Sequence, residues 1–139
     1  MKIIKVNLEE DTERIDDFIN EAFTDYATEN KVALNFEEYC FIAEDDGNVI
    51  GSITGRAYYN EVHIGDLIID KDYRRINLGS KLVKTVEEAY KDKGYDKITL
   101  TTFGFQAPEF YKKLGYTLEY VREDKDPKLC KYFYCKSLG

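Results

Sequence analysis

Two adjacent arginines, Arg74 and Arg75, follow a short apolar strand and precede a helix, and these residue types suit the binding of a phosphate group. The first turn of a helix presents backbone N–H groups without partners, at the positive end of the helix dipole. Gly79 would let a ligand approach the backbone, and Asn77 tolerates the positive φ of a loop that folds its N–H groups inward. The sequence therefore predicts an anion site. The alternative is an ordinary strand-to-helix turn with two solvated arginines.

This loop resembles a known phosphate-binding motif. Arg74-x-x-Asn77-x-Gly79 is similar to the Arg/Gln-x-x-Gly-x-Gly/Ala pyrophosphate loop of the GNAT superfamily of N-acetyltransferases. It departs from that motif at Asn77, where the family usually has glycine. A nucleotide-binding enzyme is the rival interpretation of a phosphate site, but the chain lacks both the Gly-x-x-x-x-Gly-Lys-Ser/Thr and the Gly-x-Gly-x-x-Gly patterns.

A second segment, Ala107-x-x-Phe110-Tyr111-x-x-x-Gly115-Tyr116, resembles the other GNAT signature, Ala-x-x-Phe-Tyr-x-x-x-Gly-Phe. The two segments occur in the family's order, with a predicted strand between them. Together they are far more specific than either one alone. The chain is therefore identified as a member of this superfamily, and the resemblance covers it from about Gly47 to its end.

The resemblance implies that acetyl-CoA is the cosubstrate. We expect no metal, because the three cysteines are too few and too scattered for a zinc site. The resemblance also implies which residues bind acetyl-CoA. These are the backbone N–H groups of Leu67, Ile68 and Ile69, the loop residues Arg74, Arg75, Asn77, Leu78, Gly79 and Ser80, and Ala107 and Phe110 of the second signature. For Phe110, a place in the hydrophobic core is an equally good expectation.

Tyr111 occupies the position at which family members carry a tyrosine near the cofactor sulfur. A phenol, whose pKa is about 10, can donate a proton to a leaving thiolate, whose pKa is about 8.5, against a small gradient. The resemblance thus implies that Tyr111 is catalytic. The alternative is an aromatic ring that packs one side of the cofactor channel.

The acceptor amine must lose a proton before it attacks. An alkyl amine has a pKa of about 10.4, so only about one molecule in 10³ is nucleophilic at neutral pH. His63 lies on the strand before the loop, where some relatives place a carboxylate base, and an imidazole titrates near neutral pH. Glu61 and Asp66 are the competing candidates. A purely structural histidine is the other interpretation.

We expect direct attack of the amine in a ternary complex, because none of the three cysteines (Cys40, Cys130, Cys135) falls in either signature. All three are interpreted as small hydrophobic residues. The alternative functions are a catalytically silent acetyl-CoA-binding module that regulates a partner, and an acetyltransferase that acts on a protein amine.

Seven strands and three helices are predicted to position these residues. Strands are predicted at 2–8, 39–43, 49–59, 62–69, 97–103, 116–122 and 131–136. A first helix follows Thr12, with core-facing apolar residues at helical spacing (Ile15, Phe18, Ile19, Ala22, Phe23, Tyr26). A second begins in the phosphate loop and ends near Lys93-Gly94, and a short third runs between Pro108 and Gly115. The expected fold is α/β (α+β), GNAT-like, with a mixed, mostly antiparallel sheet and a central splayed parallel strand pair flanked by helices.

The composition suits one domain over residues 1–139, which is long enough to build a full core. The net charge of −7 argues against nucleic acid and favours cationic partners such as small amines. No apolar run is long enough for a signal peptide or a membrane span. An odd number of scattered cysteines fits a reducing compartment, so we expect a cytoplasmic protein. Relatives are often dimers, which makes a homodimer an implied possibility.

Overall fold

The computed structural model describes all 139 residues, in two compact units that comprise Met1–Leu34 and Asn35–Gly139. The first unit contains one helix, α1 (Glu13–Glu29), which begins after Thr12 as predicted. The Thr12 side chain makes no capping hydrogen bond, and the guanidinium of Arg14 pairs instead with Asp11, at 2.6 Å.

Two predictions for this first unit are wrong. Residues 2–8 form no strand, because alternating apolar residues become a strand only where another strand takes up their backbone hydrogen bonds. The apolar residues of α1 are not in the core: Phe18 is 73% exposed and Tyr26 is 71% exposed, and Ala27 alone is buried. A single helix offers no second apolar surface within its own unit against which these rings could pack.

The second unit is built on one six-stranded sheet, whose strands lie in the order β1-β2-β3-β4-β6-β5. All neighbours are antiparallel except β3 and β4, which are parallel. This arrangement confirms the predicted mixed, mostly antiparallel sheet. The strands are β1 (Glu37–Asp45), β2 (Asn48–Tyr58), β3 (Glu61–Ile69), β4 (Lys97–Phe103), β5 (Thr117–Arg122) and β6 (Lys131–Ser137).

Two helices connect the later strands: α2 (Leu78–Tyr90) and the short α3 (Glu109–Lys113). α2 ends before the predicted stop because the backbone is already extended at Lys91. Strands β1 and β2 form one hairpin and β2 and β3 a second, and Asp46 and Gly47 turn the first of them with positive φ values. No helix of the chain combines the length and the apolar character needed to cross a membrane.

The core of the second unit lies between the sheet and its helices. Val83 and Val86 on one side of α2 are fully buried, as are Val62 and Ile98 on the two parallel strands. Burial of each such side chain stabilises the fold by about 1.5–3 kcal/mol. Among the cysteines, which are all free, Cys130 and Cys135 are partly buried, but Cys40 is exposed and is not a core residue.

The parallel pair is joined over only part of its length. Residues 61–64 of β3 pair with residues 97–100 of β4, whereas β4 pairs with β6 along its whole length. Beyond Ile64 the two strands therefore separate, in agreement with the predicted splayed pair. An irregularity lies at the same point: Gly55 is opposite Ile64 and Thr54 is opposite Asp66, which leaves Gly65 as an unpaired extra residue in β3.

Candidate active site

The gap between β3 and β4 exposes backbone N–H groups of β3. The N–H of Asp70 donates to the carbonyl oxygen of Ile50 on β2 at 2.8 Å, and backbone groups of successive strand residues point in opposite directions. The N–H of Ile68 is therefore directed at β2. Those of Leu67 and Ile69 are directed into the gap, where β4 no longer pairs with the strand.

The predicted phosphate loop joins this gap to α2. Asn77 has φ 59° and ψ 27°, the left-handed conformation that a loop with inward-facing N–H groups was expected to need at this position. The first backbone bond of α2 runs from the N–H of Lys81 to the carbonyl of Asn77. The N–H groups of Leu78, Gly79 and Ser80 therefore have no protein partner, although the Leu78 side chain itself is buried.

The rest of the loop is held by contacts of its own. The hydroxyl of Tyr73 donates to Asp45 at 2.6 Å, and the Asp70 carboxylate accepts from the N–H of Asp72 at 2.9 Å. Arg74 lies along the end of β3, with its Nε 3.4 Å from the carbonyl oxygen of Ile69. Arg75 is exposed and has no partner. Positive charge and free N–H groups thus occur together at the start of α2.

The second signature forms α3 and the turn before it. Ala107 has φ 57° and is exposed, and Phe110 packs against Gly79 of α2. The ring of Tyr111 is buried, with ring centroids 5.0 Å from Phe110 and 6.0 Å from Tyr134. Its hydroxyl makes no hydrogen bond to the protein, and burial raises the pKa of Tyr111 to about 12.

His63 lies on the opposite face of the sheet, because it alternates with the buried Val62 and Ile64 of β3. Its ring lines an open pocket of about 550 Å³, together with Glu38, Tyr39, Arg56 and Asp66. The hydroxyl of Tyr39 donates to the His63 carbonyl at 2.9 Å, which links β1 to the middle of β3.

The surroundings of His63 keep its ring neutral. Partial burial lowers the pKa of the imidazole, and the positive charges of Arg56 and Lys131 lower it further, against a smaller opposite effect of Glu61. The Nδ1 atom lies 3.0 Å from Oγ1 of Thr99 on β4.

The structure thus brings most of the predicted site residues around one gap. Leu67, Gly79, Phe110 and Tyr111 lie on the helix side of the sheet, and His63 and Asp66 lie by the pocket on the other side. Sequence analysis did not single out Thr99 or Tyr39. Because side chains alternate along β4, Thr99 and Leu100 point to opposite faces of the sheet. The contact between Thr99 and His63 depends on the strand register, which a single sequence does not reveal.

Comparison with known proteins yields a consistent set of relatives. The model of the acetyltransferase (GNAT) family matches residues 6–116. An uncharacterized N-acetyltransferase of Methanocaldococcus jannaschii is 30% identical over 140 residues, which cover 95% of this chain and 83% of that protein. Blasticidin-S acetyltransferase of Streptomyces morookaense is 30% identical over 66% of this chain and 68% of its own length.

Solved structures agree with these relatives. The crystal structure of an acetyltransferase from Bacillus cereus superposes with a TM-score of 0.78 and 31% identity, over 98% of this chain and 97% of that one. Across four curated relatives, the chain covers between 39% and 83% of the relative's own length.

Proposed function

This chain belongs to the GNAT family of N-acetyltransferases, and we propose that it transfers the acetyl group of acetyl-CoA directly to a primary amine of a small molecule. The observation that carries the proposal is the gap between β3 and β4, which presents two unpaired N–H groups beside a helix N-terminus that is also unpaired. A ligand that fits this gap needs carbonyl acceptors at one end and phosphate groups at the other. Acetyl-CoA has both.

The phosphate end of acetyl-CoA would lie at the first turn of α2. The N–H groups of Leu78, Gly79 and Ser80 are donors without partners, and the helix dipole favours negative charge there. Arg74 and Arg75 add two guanidinium groups that can each bind phosphate oxygens through paired donors. These features support the phosphate loop as the anchor of the cosubstrate.

The acetyl end would lie in the gap, where the N–H groups of Leu67 and Ile69 are the free donors. Donors aimed at a carbonyl oxygen stabilise the negative charge that develops there as the amine attacks. Tyr111 would donate a hydrogen bond from its hydroxyl to the leaving sulfur, which departs as the thiolate. Since its pKa is about 12, the hydroxyl acts as a hydrogen-bond donor that remains protonated throughout the neutral range.

His63 is the residue we propose as the base that removes a proton from the amine. Its ring lines the pocket and its lowered pKa keeps it neutral, which a base requires. The two rival candidates differ in their surroundings. Glu61 accepts a hydrogen bond from Thr99, and Asp66 is an exposed carboxylate at the rim of the same pocket.

The acceptor is proposed to be a small cationic amine that enters this pocket. Glu38 and Asp66 supply two carboxylates to the lining, against the single guanidinium of Arg56. Carboxylates near the entrance raise the local concentration of a cation. An acetyltransferase of protein amines and a silent acetyl-CoA-binding module are the alternatives.

We further propose that residues 1–139 form one acetyltransferase domain, because the family match extends across both compact units. Three free cysteines support a reducing compartment, the cytoplasm. The outermost strands β1 and β5 offer two free sheet edges through which a homodimer can form.

Calorimetric titration with acetyl-CoA tests the proposal. We expect micromolar binding, and we expect the double variant Arg74→Ala/Arg75→Ala to bind at least about tenfold more weakly, which corresponds to about 1.4 kcal/mol. The matched control, Lys91→Ala/Lys93→Ala, removes the same charge from the other end of α2 and should bind as the native chain does. An amine panel, followed by release of free thiol, then identifies acceptors. Absence of acyl-CoA binding to the native chain would overturn the proposed function.

A further inference from the structure

Glu61, Thr99 and His63 form a connected set of side chains on the open face of the sheet. Glu61 and His63 are two residues apart on β3 and so share a face, and Thr99 of β4 is the direct register partner of His63. Oγ1 of Thr99 lies 2.6 Å from Oε2 of Glu61 and 3.0 Å from Nδ1 of His63. The threonine hydroxyl therefore bridges the carboxylate and the imidazole.

The direction of these two hydrogen bonds follows from counting protons. An ionised carboxylate can only accept, so the single hydroxyl proton of Thr99 is donated to Glu61. Oγ1 of Thr99 then has no proton left and must accept from the ring. Nδ1 of His63 consequently carries the proton, and Nε2, which has no protein partner, carries the lone pair.

We propose that Thr99 and Glu61 are positioning residues, which hold His63 in the Nδ1–H tautomer and so keep Nε2 free to take a proton from the acceptor amine. The inference rests on the proposed function for its catalytic meaning. Nε2 would gain the proton that leaves the attacking nitrogen, and the imidazolium that results would still donate through Nδ1 to Thr99. The negative charge of Glu61 stabilises that imidazolium through the shared hydroxyl.

Charged groups on the neighbouring strands act on the same ring. Arg56 of β2 is the register partner of His63 on its other side, and Lys131 belongs to β6. Both disfavour a positive imidazole, whereas Glu61 favours it. Glu61 thus opposes two cations, and its loss should leave a ring that protonates less readily.

The tautomer can be observed directly, because His63 is the only histidine of the chain. Long-range nitrogen–proton correlation spectra of the uniformly labelled protein contain one imidazole, and they distinguish a protonated from an unprotonated ring nitrogen. We expect protonated Nδ1 and unprotonated Nε2 in the native chain, in Thr99→Ser and in the control Thr101→Val. We expect Thr99→Val, which has the same shape without the hydroxyl, to populate the other tautomer.

Thr101 is a suitable control because it follows two residues later on the same face of β4 and makes no side-chain hydrogen bond. A protonated Nε2 in the native chain would contradict the inference. So would a tautomer that is unchanged in Thr99→Val. Neither observation requires an acceptor amine, so this test stands whether or not the proposed function does.

Kinetics connect the tautomer to turnover. With an amine from the panel, such as spermidine, Thr99→Val should lower kcat by about tenfold or more with little change in KM, and Thr99→Ser should restore it. Glu61→Gln should shift the acidic limb of the pH profile to lower pH. Native kcat in Thr99→Val would overturn the positioning role while leaving the proposed function intact. Failure of the native chain to acetylate any amine would overturn the proposed function, and of this inference only the tautomer would then remain.

Discussion

Phe110 of α3 lies against Gly79 in the first turn of α2. A Cβ atom at Gly79 would lie 3.3 Å from Cζ of Phe110 and 3.8 Å from Cδ2 of Leu67, so little space remains beside the backbone of this glycine. A side chain there would meet the ring of α3 and the strand that borders the gap. The glycine thus keeps the helix start close to the proposed cosubstrate site.

Replacement of Gly79 tests this contact. In Gly79→Ala the Phe110 ring must shift by a few tenths of an ångström, which destabilises the fold. The higher helix propensity of alanine stabilises it by about 1 kcal/mol, so the free energy of unfolding should change little. Affinity for acetyl-CoA should fall, because the moved ring borders the cosubstrate. Urea unfolding and calorimetry measure the two quantities, with Thr85→Ala on the exposed side of α2 as the control. Undiminished affinity in Gly79→Val, which adds still more volume, would contradict this prediction.

The left-handed conformation of Asn77 gives a second prediction. Asn77→Gly should keep or slightly raise stability, because glycine adopts φ 59° without steric cost. Asn77→Ala should cost about 1–2 kcal/mol of unfolding free energy and weaken acetyl-CoA binding, since alanine resists this region. The glycine variant is the matched control for loss of the amide. Equal stability of the two variants would show that the conformation is not retained in solution.

The Tyr111 hydroxyl gives a third prediction, which also separates an enzyme from a silent binding module. Tyr111→Phe removes a hydroxyl that has no protein partner, so unfolding free energy and acetyl-CoA affinity should be nearly unchanged. We expect kcat to fall by about 10²-fold, within the range attributed to a positioned proton donor. Tyr120→Phe, on the exposed edge strand, is the control. Full turnover in Tyr111→Phe would exclude the catalytic role.

The pH dependence of turnover gives a fourth prediction. His63 must be neutral to accept a proton, and its folded-state pKa is lowered by burial and by Arg56 and Lys131. Activity should therefore fall as the pH drops through a value below the usual 6.5 of histidine. No alkaline limb from Tyr111 is expected below its pKa of about 12. The measurement is kcat against pH at saturating amine, so that ionisation of the free amine does not contribute, with His63→Gln as the comparison. An acidic limb above 6.5, or one that survives in that variant, argues for another base.

Much of the fold follows from local patterns that the sequence displays. The bounds of β4 agree with its alternation of apolar residues and threonines, and the Asp45–Asn48 turn agrees with its turn-forming residues. The parallel β3–β4 pair follows from the helix between the two strands. By contrast, residues 2–8 show that alternation without a pairing partner does not make a strand.

The candidate site is predictable in part for the same reason. Motif spacing singled out residues 74–80 and Tyr111 as candidates, because each motif lies within one continuous segment of the chain. The bridge from Glu61 through Thr99 to His63 crosses two strands, and its existence depends on a register that only the folded sheet sets. The orientation of the N–H groups at 67–69 likewise depends on a hydrogen bond between Asp70 and Ile50.

The unpaired Gly65 determines which residues of β3 direct their backbone N–H groups into the gap. Side chains and N–H groups of a strand change direction with every residue, so an odd insertion exchanges the two sets for all positions that follow. Because of this one residue, Val62, Ile64, Leu67 and Ile69 all direct their side chains at the helices, although their numbers switch from even to odd. A strand that alternated regularly through Gly65, without the bulge, would direct the amides of 67 and 69 at β2 and leave the gap without its donors. A single residue with no side chain thereby determines which edge of the strand is available for chemistry.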